Sequence, residues 1–291
     1  MQYAIGVDGG GTGCRVAIAD RNGTVLGSAT GGPSNIATNL DEATQNIHAA
    51  ITAAARDLIV SGSIYSLSSA VLGVAGANVG DHATRLAKRL GFGRCRVVSD
   101  AQTSVTGALA GQDGTGAMIG TGSVFASRAN GKFRQLGGWG FQLGDQAGGA
   151  RLGRSALEQT LLAHDGIRSS SDLTQAMLAR FGSAPEITEF ARKAAPSAFA
   201  ALAPEVVAAA QGGDEVALEI VEQACRYVAK AVGVVSFDGI LPVTMIGGLS
   251  QSLIPFLPGS LKVKLVPSAG SALDGAVRMA LELLTSEAAN A

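Results

Sequence analysis

Short apolar runs separated by small-residue turns dominate the first third of the chain. Residues 3–8, 14–20 and 24–29 are predicted strands, with Asn22-Gly23 as the hairpin turn between the second and third. Between positions 41 and 61, apolar residues recur at three- and four-residue steps, which predicts an amphipathic helix. A strand over 69–74, a helix over 81–90, a strand over 96–99 and a helix over 101–110 follow. The pattern predicts an α/β unit of three strands followed by alternating helices and strands.

The same pattern begins again at position 116. Residues 116–128 repeat the strand, glycine turn and strand of residues 5–18, and a helix is predicted over 146–164. Two amphipathic stretches over 172–181 and 185–210 predict a helical insertion, followed by a long helix over 214–234. Strands over 243–246 and 261–266 precede a last helix. We therefore predict two lobes: residues 1–114, joined by the C-terminal helix 272–287, and residues 115–271, which carry the insertion.

The turn Asp8-Gly9-Gly10-Gly11-Thr12 has the composition of a phosphate site. With so little side chain, backbone N–H groups can point at one place, which suits a phosphate group. Asp8 ends the first strand, so its carboxylate can reach a metal ion held by the same phosphates. The Gly-Lys-Ser/Thr triplet of a Walker loop occurs nowhere in the chain. For this turn alone, an ordinary glycine-rich hairpin with Asp8 as a turn former remains the alternative.

Composition narrows the class of protein. The 291 residues include 40 glycines and carry a formal net charge of −1, which gives no electrostatic footprint for nucleic acid or an anionic membrane. No apolar stretch approaches the ~18 residues that a membrane span needs. The first residues lack a basic leader, so we expect a cytoplasmic protein. Cys14, Cys95 and Cys225 are isolated and odd in number, which favours buried thiols over a disulfide framework or a zinc cluster.

Five short motifs, in this order, resemble the BadF/BadG/BcrA/BcrD ATPase family of the actin/hexokinase/Hsp70 superfamily, whose members include N-acetylglucosamine kinases and bacterial glucosamine kinases. They are Asp8-Gly9-Gly10-Gly11-Thr12, Ser99-Asp100-Ala101, Gly120-Thr121-Gly122-Ser123, Gly137-Gly138-Trp139-Gly140 with Gly144-Asp145, and Gly247-Gly248. The resemblance covers essentially the whole chain. It implies two ribonuclease H-like lobes that face each other across a nucleotide cleft, and it implies ATP and Mg²⁺ as cofactors.

The resemblance also assigns roles to residues. It implies that Asp8 acts on the metal ion and that Asp100 takes the proton from the sugar hydroxyl. The positions that it implies for the nucleotide are Gly10, Gly11 and Thr12 in the first turn, Thr121, Gly122 and Ser123 in the second, and Gly247 and Gly248, with Ala272 nearby, for adenosine. The positions that it implies for the sugar, beside Asp100, are Asn35, Gly138, Trp139, Gly140 and Asp145.

A second interpretation is open for three of these residues, Asp100, Asp145 and Trp139. Asp100 follows a predicted strand and opens a predicted helix, so it could serve only as the helix N-cap. Asp145 could cap the helix that follows it. Trp139, the only tryptophan, could pack over its own glycine-rich loop instead of against a sugar ring. His48, His82 and His164 have no partners in the pattern and are given no chemistry.

The sequence favours an ATP- and Mg²⁺-dependent kinase that phosphorylates the 6-hydroxyl of an amino sugar, a small-molecule substrate. Residues 161–168 resemble the glucosamine kinases, whereas the Gly-Gly-Trp-Gly loop resembles the N-acetylglucosamine kinases, so the 2-substituent stays open. The alternative within the family is an ATPase activator that holds an iron–sulfur cluster, which needs closely placed cysteines that this chain lacks. A transcription regulator would need a helix-turn-helix module. The sequence does not fix the oligomeric state, and a homodimer is compatible with it.

Overall fold

The computed structural model describes residues 2–58, 63–237 and 242–285, which pack as two compact units. Unit 1 comprises Met1–Asp113, Asn130–Phe133 and Pro267–Ala291, and unit 2 comprises Gly114–Ala129 and Arg134–Val266. The end of the helix predicted over 41–61 and the tail after 285 fall at 59–61 and 286–291, outside the described residues.

The secondary structure alternates strands and helices. The described strands are β1 (Tyr3–Gly9), β2 (Cys14–Ala19), β3 (Val25–Gly31), β4 (Ser68–Val74), β5 (Arg94–Ser99), β6 (Gly114–Ile119), β7 (Ser123–Ala129), β8 (Lys132–Gly137) and β9 (Val243–Ile246). The described helices are α1 (Leu40–Ala54), α2 (Ile64–Leu67), α3 (His82–Leu90), α4 (Asp100–Ala108), α5 (Gly149–His164), α6 (Asp172–Phe181), α7 (Ala184–Lys193), α8 (Pro196–Ala200), α9 (Ala203–Gln211), α10 (Glu215–Val235), α11 (Ser250–Leu253), α12 (Gly259–Lys262) and α13 (Ala272–Thr285), with a 3₁₀ turn at Ile254–Phe256.

Unit 1 is built on a sheet of strand order β3-β2-β1-β4-β5. β1, β2 and β3 form an antiparallel meander, while β4 and β5 run parallel to β1. The carboxyl ends of β1, β4 and β5 therefore lie at one edge of the sheet, where open α/β sheets expose their functional groups. This edge therefore carries Asp8–Gly11 at the end of β1, the Ala75–Asn78 turn after β4 and Asp100 directly after β5.

Helices cover both faces of this sheet. On one face, Ile47 and Ile51 of α1 pack with Ile5 and Ile18 in the buried core. On the other face α13 lies directly on β1, because a Cβ at Gly6 would come within 2.6 Å of the Val277 side chain. The same helix crosses α4 closely: a Cβ at Gly275 would lie 2.0 Å from the Thr103 carbonyl oxygen. The C-terminal helix is thus an integral layer of unit 1.

Unit 2 has a sheet of order β8-β7-β6-β9, with β6 antiparallel to β7 and parallel to β9. Its core includes Phe125 of β7, Leu152 of α5 and Val228 of α10. Helices α6 to α9 join the same core, and Met177, Ile187 and Phe199 are buried in it. Among the described residues, no helix combines the length and the apolar character that crossing a bilayer requires.

Several predicted boundaries are wrong for identifiable reasons. The predicted strand 261–266 is instead the short helix α12 after Pro258, followed by a single bridge between Val243 and Leu265. Residues 185–210 form three helices, since prolines stand in the first turns of α8 and α9, where they favour a new helix start. The helix predicted over 41–61 ends at Ala54, and Leu58 reaches the core from a turn.

Candidate active site

The first glycine turn joins β1 to β2 and is closed on one side and open on the other. Gly10 N donates to Gly13 O at 2.9 Å, and Ser34 N donates to Gly10 O at 2.9 Å. A Cβ at Gly9 would lie 2.5 Å from Ser34 Oγ, whereas a Cβ at Gly11 would meet nothing within 4 Å. The turn is therefore pinned against the Ser34 loop and leaves open space at Gly11, as a backbone cradle for an anion requires.

An open pocket of about 460 Å³ adjoins this turn. Asp8, Gly10 and Thr12 line it together with Arg15 and Thr30. Asp8 Oδ2 accepts hydrogen bonds from Arg15 Nε at 3.1 Å and from Arg15 Nη2 at 2.5 Å. The sequence reasoning missed Arg15, although the signal was present: in the hairpin register, position 15 lies directly opposite position 8.

Asp100 is the first residue of α4, immediately after β5. The N-cap of this helix is Ser99, whose side chain accepts from Gln102 N at 3.3 Å. The Asp100 carboxylate accepts from Ala101 N at 2.9 Å through Oδ1. Ser99 is therefore the N-cap of α4, and Asp100 does not have that role.

Burial raises the pKa of Asp100 above its ordinary value, and the negative charge of Asp8 raises it further, while the Ala101 N–H opposes both. Asp8 and Asp100 thus act on each other electrostatically at one edge of the unit 1 sheet. The Asp8 carboxylate beside an open glycine turn fits Mg²⁺, which binds one or two carboxylates together with phosphates and waters. Among the described residues there is no group of three or more His, Cys, Asp or Glu residues suited to a metal held by the protein alone.

Asn35 lies in the loop after β3, at the same edge. Its Oδ1 accepts from Ala37 N at 3.0 Å and from Thr38 N at 3.2 Å. Ile36 N donates to Ala75 O at 3.0 Å, which fixes the loop to the end of β4. Among the described residues the Asn35 Nδ2 has no hydrogen-bond partner, so this amide retains its donors for a ligand.

The second glycine turn, in unit 2, joins β6 to β7. Gly120 N donates to Gly122 O at 3.0 Å, and the first N–H groups of α5, from Gly149 and Ala150, donate to the Gly120 and Thr121 carbonyls at 2.8 and 3.0 Å. The turn carbonyls therefore accept from the first N–H groups of α5, and Thr121 remains exposed. The second turn is therefore tied to the start of α5, and its Gly122–Ser123 part faces the Asp145 side chain.

Asp145 lies against this second turn. Its Oδ1 accepts from Ser123 N at 3.3 Å, and a Cβ at Gly122 would come within 2.5 Å of its Oδ2. It does not cap α5 with its side chain, because Gly148 is the N-cap. Burial raises the pKa of Asp145, and the Ser123 N–H and the Arg151 charge oppose that shift. The structure therefore places this acid beside the predicted phosphate residues of unit 2.

The Gly137–Gly140 loop presents the tryptophan to solvent. Gly137, Gly138 and Gly140 have φ values of +82°, +75° and +82°, a region that favours glycine. The Trp139 side chain between them is 81% exposed, and Leu143 further along is 85% exposed. The interpretation in which the ring packs over its own loop is therefore wrong, and the aromatic face is available to a ligand.

Gly247 and Gly248 follow β9, next to the second turn. A Cβ at Gly247 would lie 2.4 Å from the Ile119 carbonyl oxygen, so this position requires glycine. Leu249 N donates to the same carbonyl at 3.2 Å. A Cβ at Gly248 would meet nothing within 4 Å. Gly247 therefore packs against β6, whereas Gly248 faces open space.

The predicted residues thus gather in two groups. Unit 1 contains Asp8, Gly10, Gly11, Thr12, Asn35 and Asp100. Unit 2 contains Thr121, Gly122, Ser123, Gly138, Trp139, Gly140, Asp145, Gly247 and Gly248. The three cysteines are free; Cys14 and Cys225 are buried and Cys95 is partly buried.

Two sheets of this construction, each with a glycine turn after its first strand, define an actin/hexokinase-type ATPase fold. Among solved structures, a ROK family glucokinase from Streptomyces griseus shares the fold at 18% identity and a TM-score of 0.54, over 96% of this chain and 99% of that one.

The chain belongs to the BadF/BadG/BcrA/BcrD ATPase family, whose model matches residues 5–262. A solved structure from Chromobacterium violaceum, described as a candidate N-acetylglucosamine kinase, is 33% identical with a TM-score of 0.84, over 97% of this chain and 99% of that one. The glucosamine kinase GspK of Vibrio cholerae is 28% identical over 283 residues, which cover 96% of each chain. The fold and the family predicted from the sequence are confirmed.

Proposed function

We propose that this sugar kinase transfers the γ-phosphoryl group of ATP to the 6-hydroxyl of an amino sugar, glucosamine or N-acetylglucosamine. The observation that carries the proposal is the Asp100 carboxylate, which is partly buried, has a raised pKa, and lies at the same sheet edge as Asp8 and the open first turn. The full-length relatives named as glucosamine kinase and candidate N-acetylglucosamine kinase support the amino-sugar class.

Phosphoryl transfer requires alignment, charge neutralisation on the phosphates and a base that orients the attacking hydroxyl. Asp100 is the base in this proposal. Its Oδ1 is held by the Ala101 N–H at 2.9 Å, which leaves Oδ2 to accept the proton of the sugar hydroxyl. A pKa raised by burial suits this task, because a base works best when its pKa approaches the operating pH.

The nucleotide phosphates are assigned to backbone groups. Gly10, Gly11 and Thr12 would bind the β- and γ-phosphates in unit 1, since the space at Gly11 is open to an anion. Asp8 would hold Mg²⁺, which neutralises negative charge on the phosphates when it is bound with ATP. In unit 2, the nucleotide residues would be Thr121, Gly122 and Ser123 for phosphate, and Gly247 with Gly248 for adenosine.

The sugar is assigned to polar groups and one aromatic ring. Asn35 Nδ2 and the Asp145 carboxylate would hydrogen-bond sugar hydroxyls, and Gly138, Trp139 and Gly140 would present a flat apolar surface. A sugar ring has an apolar face and a rim of hydroxyls, so an exposed indole next to hydrogen-bonding groups suits it.

A coupled ADP-release assay with glucosamine, N-acetylglucosamine, glucose and no sugar tests the proposal. We expect rapid release with at least one amino sugar, slower release with glucose, and negligible release without sugar. The product should carry phosphorus on the 6-carbon by ³¹P and ¹³C NMR, and the 6-deoxy analogue of the preferred sugar should give no product. Equal ADP release with and without sugar would refute a kinase function.

A further inference from the structure

The ion pair between Asp8 and Arg15 occupies the carboxylate that the proposed function gives to the metal. The two residues lie opposite each other in the β1–β2 register, so the contact follows directly from the hairpin. The side chain of Asp8 is 16% exposed, whereas that of Arg15 is 56% exposed. The guanidinium therefore extends from a mostly covered carboxylate into the open pocket beside the glycine turn.

Arg15 has hydrogen-bonding capacity left after this contact. A guanidinium has five N–H donors, and Nε and one Nη2 hydrogen are used on Asp8 Oδ2. The donors that remain can bind phosphate oxygens, which a guanidinium recognises with the same fork geometry as carboxylate. Among the described residues that line this pocket, Arg15 is the only basic one.

We propose that Arg15 makes Asp8 selective for a divalent cation already bound to nucleotide phosphates. In the nucleotide-free protein, Arg15 neutralises the Asp8 carboxylate, and its positive charge disfavours a free divalent cation there. When a triphosphate enters the pocket, its oxygens accept from the remaining Arg15 donors and bring enough negative charge to hold the cation beside Asp8. This inference rests on the proposed role of Asp8, and it assigns Arg15 a nucleotide-binding role.

Direct cation binding tests the inference without an activity measurement. Free Mn²⁺ is titrated into nucleotide-free protein and followed by electron paramagnetic resonance, for wild type, Arg15→Gln, Arg15→Lys and Asp8→Asn/Arg15→Gln. Arg21→Gln is the matched control, because Arg21 is an exposed arginine of the β2–β3 turn that bonds only Gln2 among the described residues. Thermal melts establish that each variant is folded.

Arg15→Gln should bind free Mn²⁺ at least about tenfold more tightly than wild type, since removing a nearby charge changes such binding by a kcal/mol or more. The added Asp8→Asn change should abolish that gain, Arg15→Lys should resemble wild type, and Arg21→Gln should have no effect. By calorimetry, Arg15→Gln should bind MgATP about tenfold more weakly, because the charged hydrogen bonds to phosphate are lost.

Unchanged Mn²⁺ affinity in Arg15→Gln, or unchanged MgATP affinity, would overturn the inference. The outcome is separable from the proposed function. A wild-type enzyme that phosphorylates amino sugars while Arg15→Gln behaves as wild type in both titrations contradicts only the role of Arg15. An inactive wild type contradicts the kinase assignment instead.

Discussion

Replacing Asp100 by Asn should remove the base while leaving the local structure in place. The Asn side-chain oxygen can still accept from Ala101 N, and Ser99 remains the N-cap of α4. The variant therefore isolates the loss of proton acceptance. General-base catalysis typically contributes 10²- to 10⁴-fold, so we expect kcat to fall by that factor, or about 3–5 kcal/mol of transition-state stabilisation.

The free energy of unfolding of Asp100→Asn should differ little from that of wild type. The sign of the charge contribution follows from the raised pKa of Asp100. Because the pKa of Asp100 is raised in the folded protein, its favourable contribution is complete below the ordinary carboxyl pKa and is lost as the pH rises through the raised value. At neutral pH the ionised, partly buried Asp100 side chain destabilises the folded protein, and the Asn variant removes that destabilisation. It also loses a favourable charge at a helix N-terminus, worth about 0.3–1 kcal/mol. The two effects oppose each other, so we expect the melting temperature to stay nearly constant.

The chain offers a matched control. Asp172 is also the first residue of a helix and also follows a serine N-cap, Ser171, but it is exposed and lies outside the candidate site. The assay compares kcat for Asp100→Asn and Asp172→Asn by coupled ADP release, with ATP affinity measured by calorimetry. We expect normal turnover for Asp172→Asn and near-normal ATP affinity for both. Turnover within tenfold of wild type in Asp100→Asn would falsify the assignment of the base.

Three further outcomes are expected. The kcat/KM profile should lose activity at acid pH with a midpoint above the ordinary aspartate pKa, since burial and Asp8 both raise the pKa of Asp100; a midpoint at the ordinary value contradicts this. Gly73→Ala should destabilise the protein by about 1–3 kcal/mol in urea melts, because its Cβ would lie 2.0 Å from Thr103 Oγ1. Gly11→Ala should fold normally, because a Cβ there meets nothing within 4 Å, and it should weaken ATP binding. Trp139 fluorescence should be quenched by acrylamide in the free protein and protected by saturating amino sugar; no protection argues against its contact with the sugar.

Local sequence signals predicted most of the framework of unit 1. The alternation of apolar residues and glycine turns places β1, β2, β4 and α4 close to where the structure has them. The repeat at position 116 also predicted the second glycine turn. These elements are set by short-range periodicity and by turns that only small residues can form, which is the information a sequence displays directly.

Contacts between distant segments could not be predicted in the same way. Whether Asp145 faces solvent or the second turn depends on how a left-handed residue at φ +61° directs its side chain toward Gly122. The exposure of Trp139 depends on the backbone conformations of the three glycines that flank it, Gly137, Gly138 and Gly140, each of which has several accessible conformations. The strand predicted over 261–266 has suitable apolar residues, but a proline and glycine just before it start a helix instead.

The close crossing of α4 and α13 has a consequence for the order in which the protein matures. Asp100 is the first residue of α4, and Gly107 lies near the end of the same helix. A Cβ at Gly107 would lie 1.8 Å from the Ser271 carbonyl oxygen, so the two segments are in close contact. Ser271 lies far downstream of Gly107 in the sequence, so it is synthesised well after α4, since synthesis runs from the N-terminus. The aspartate proposed as the base therefore acquires its final surroundings only after α13 has been synthesised, and a nascent chain halted before position 272 should be unable to turn over substrate.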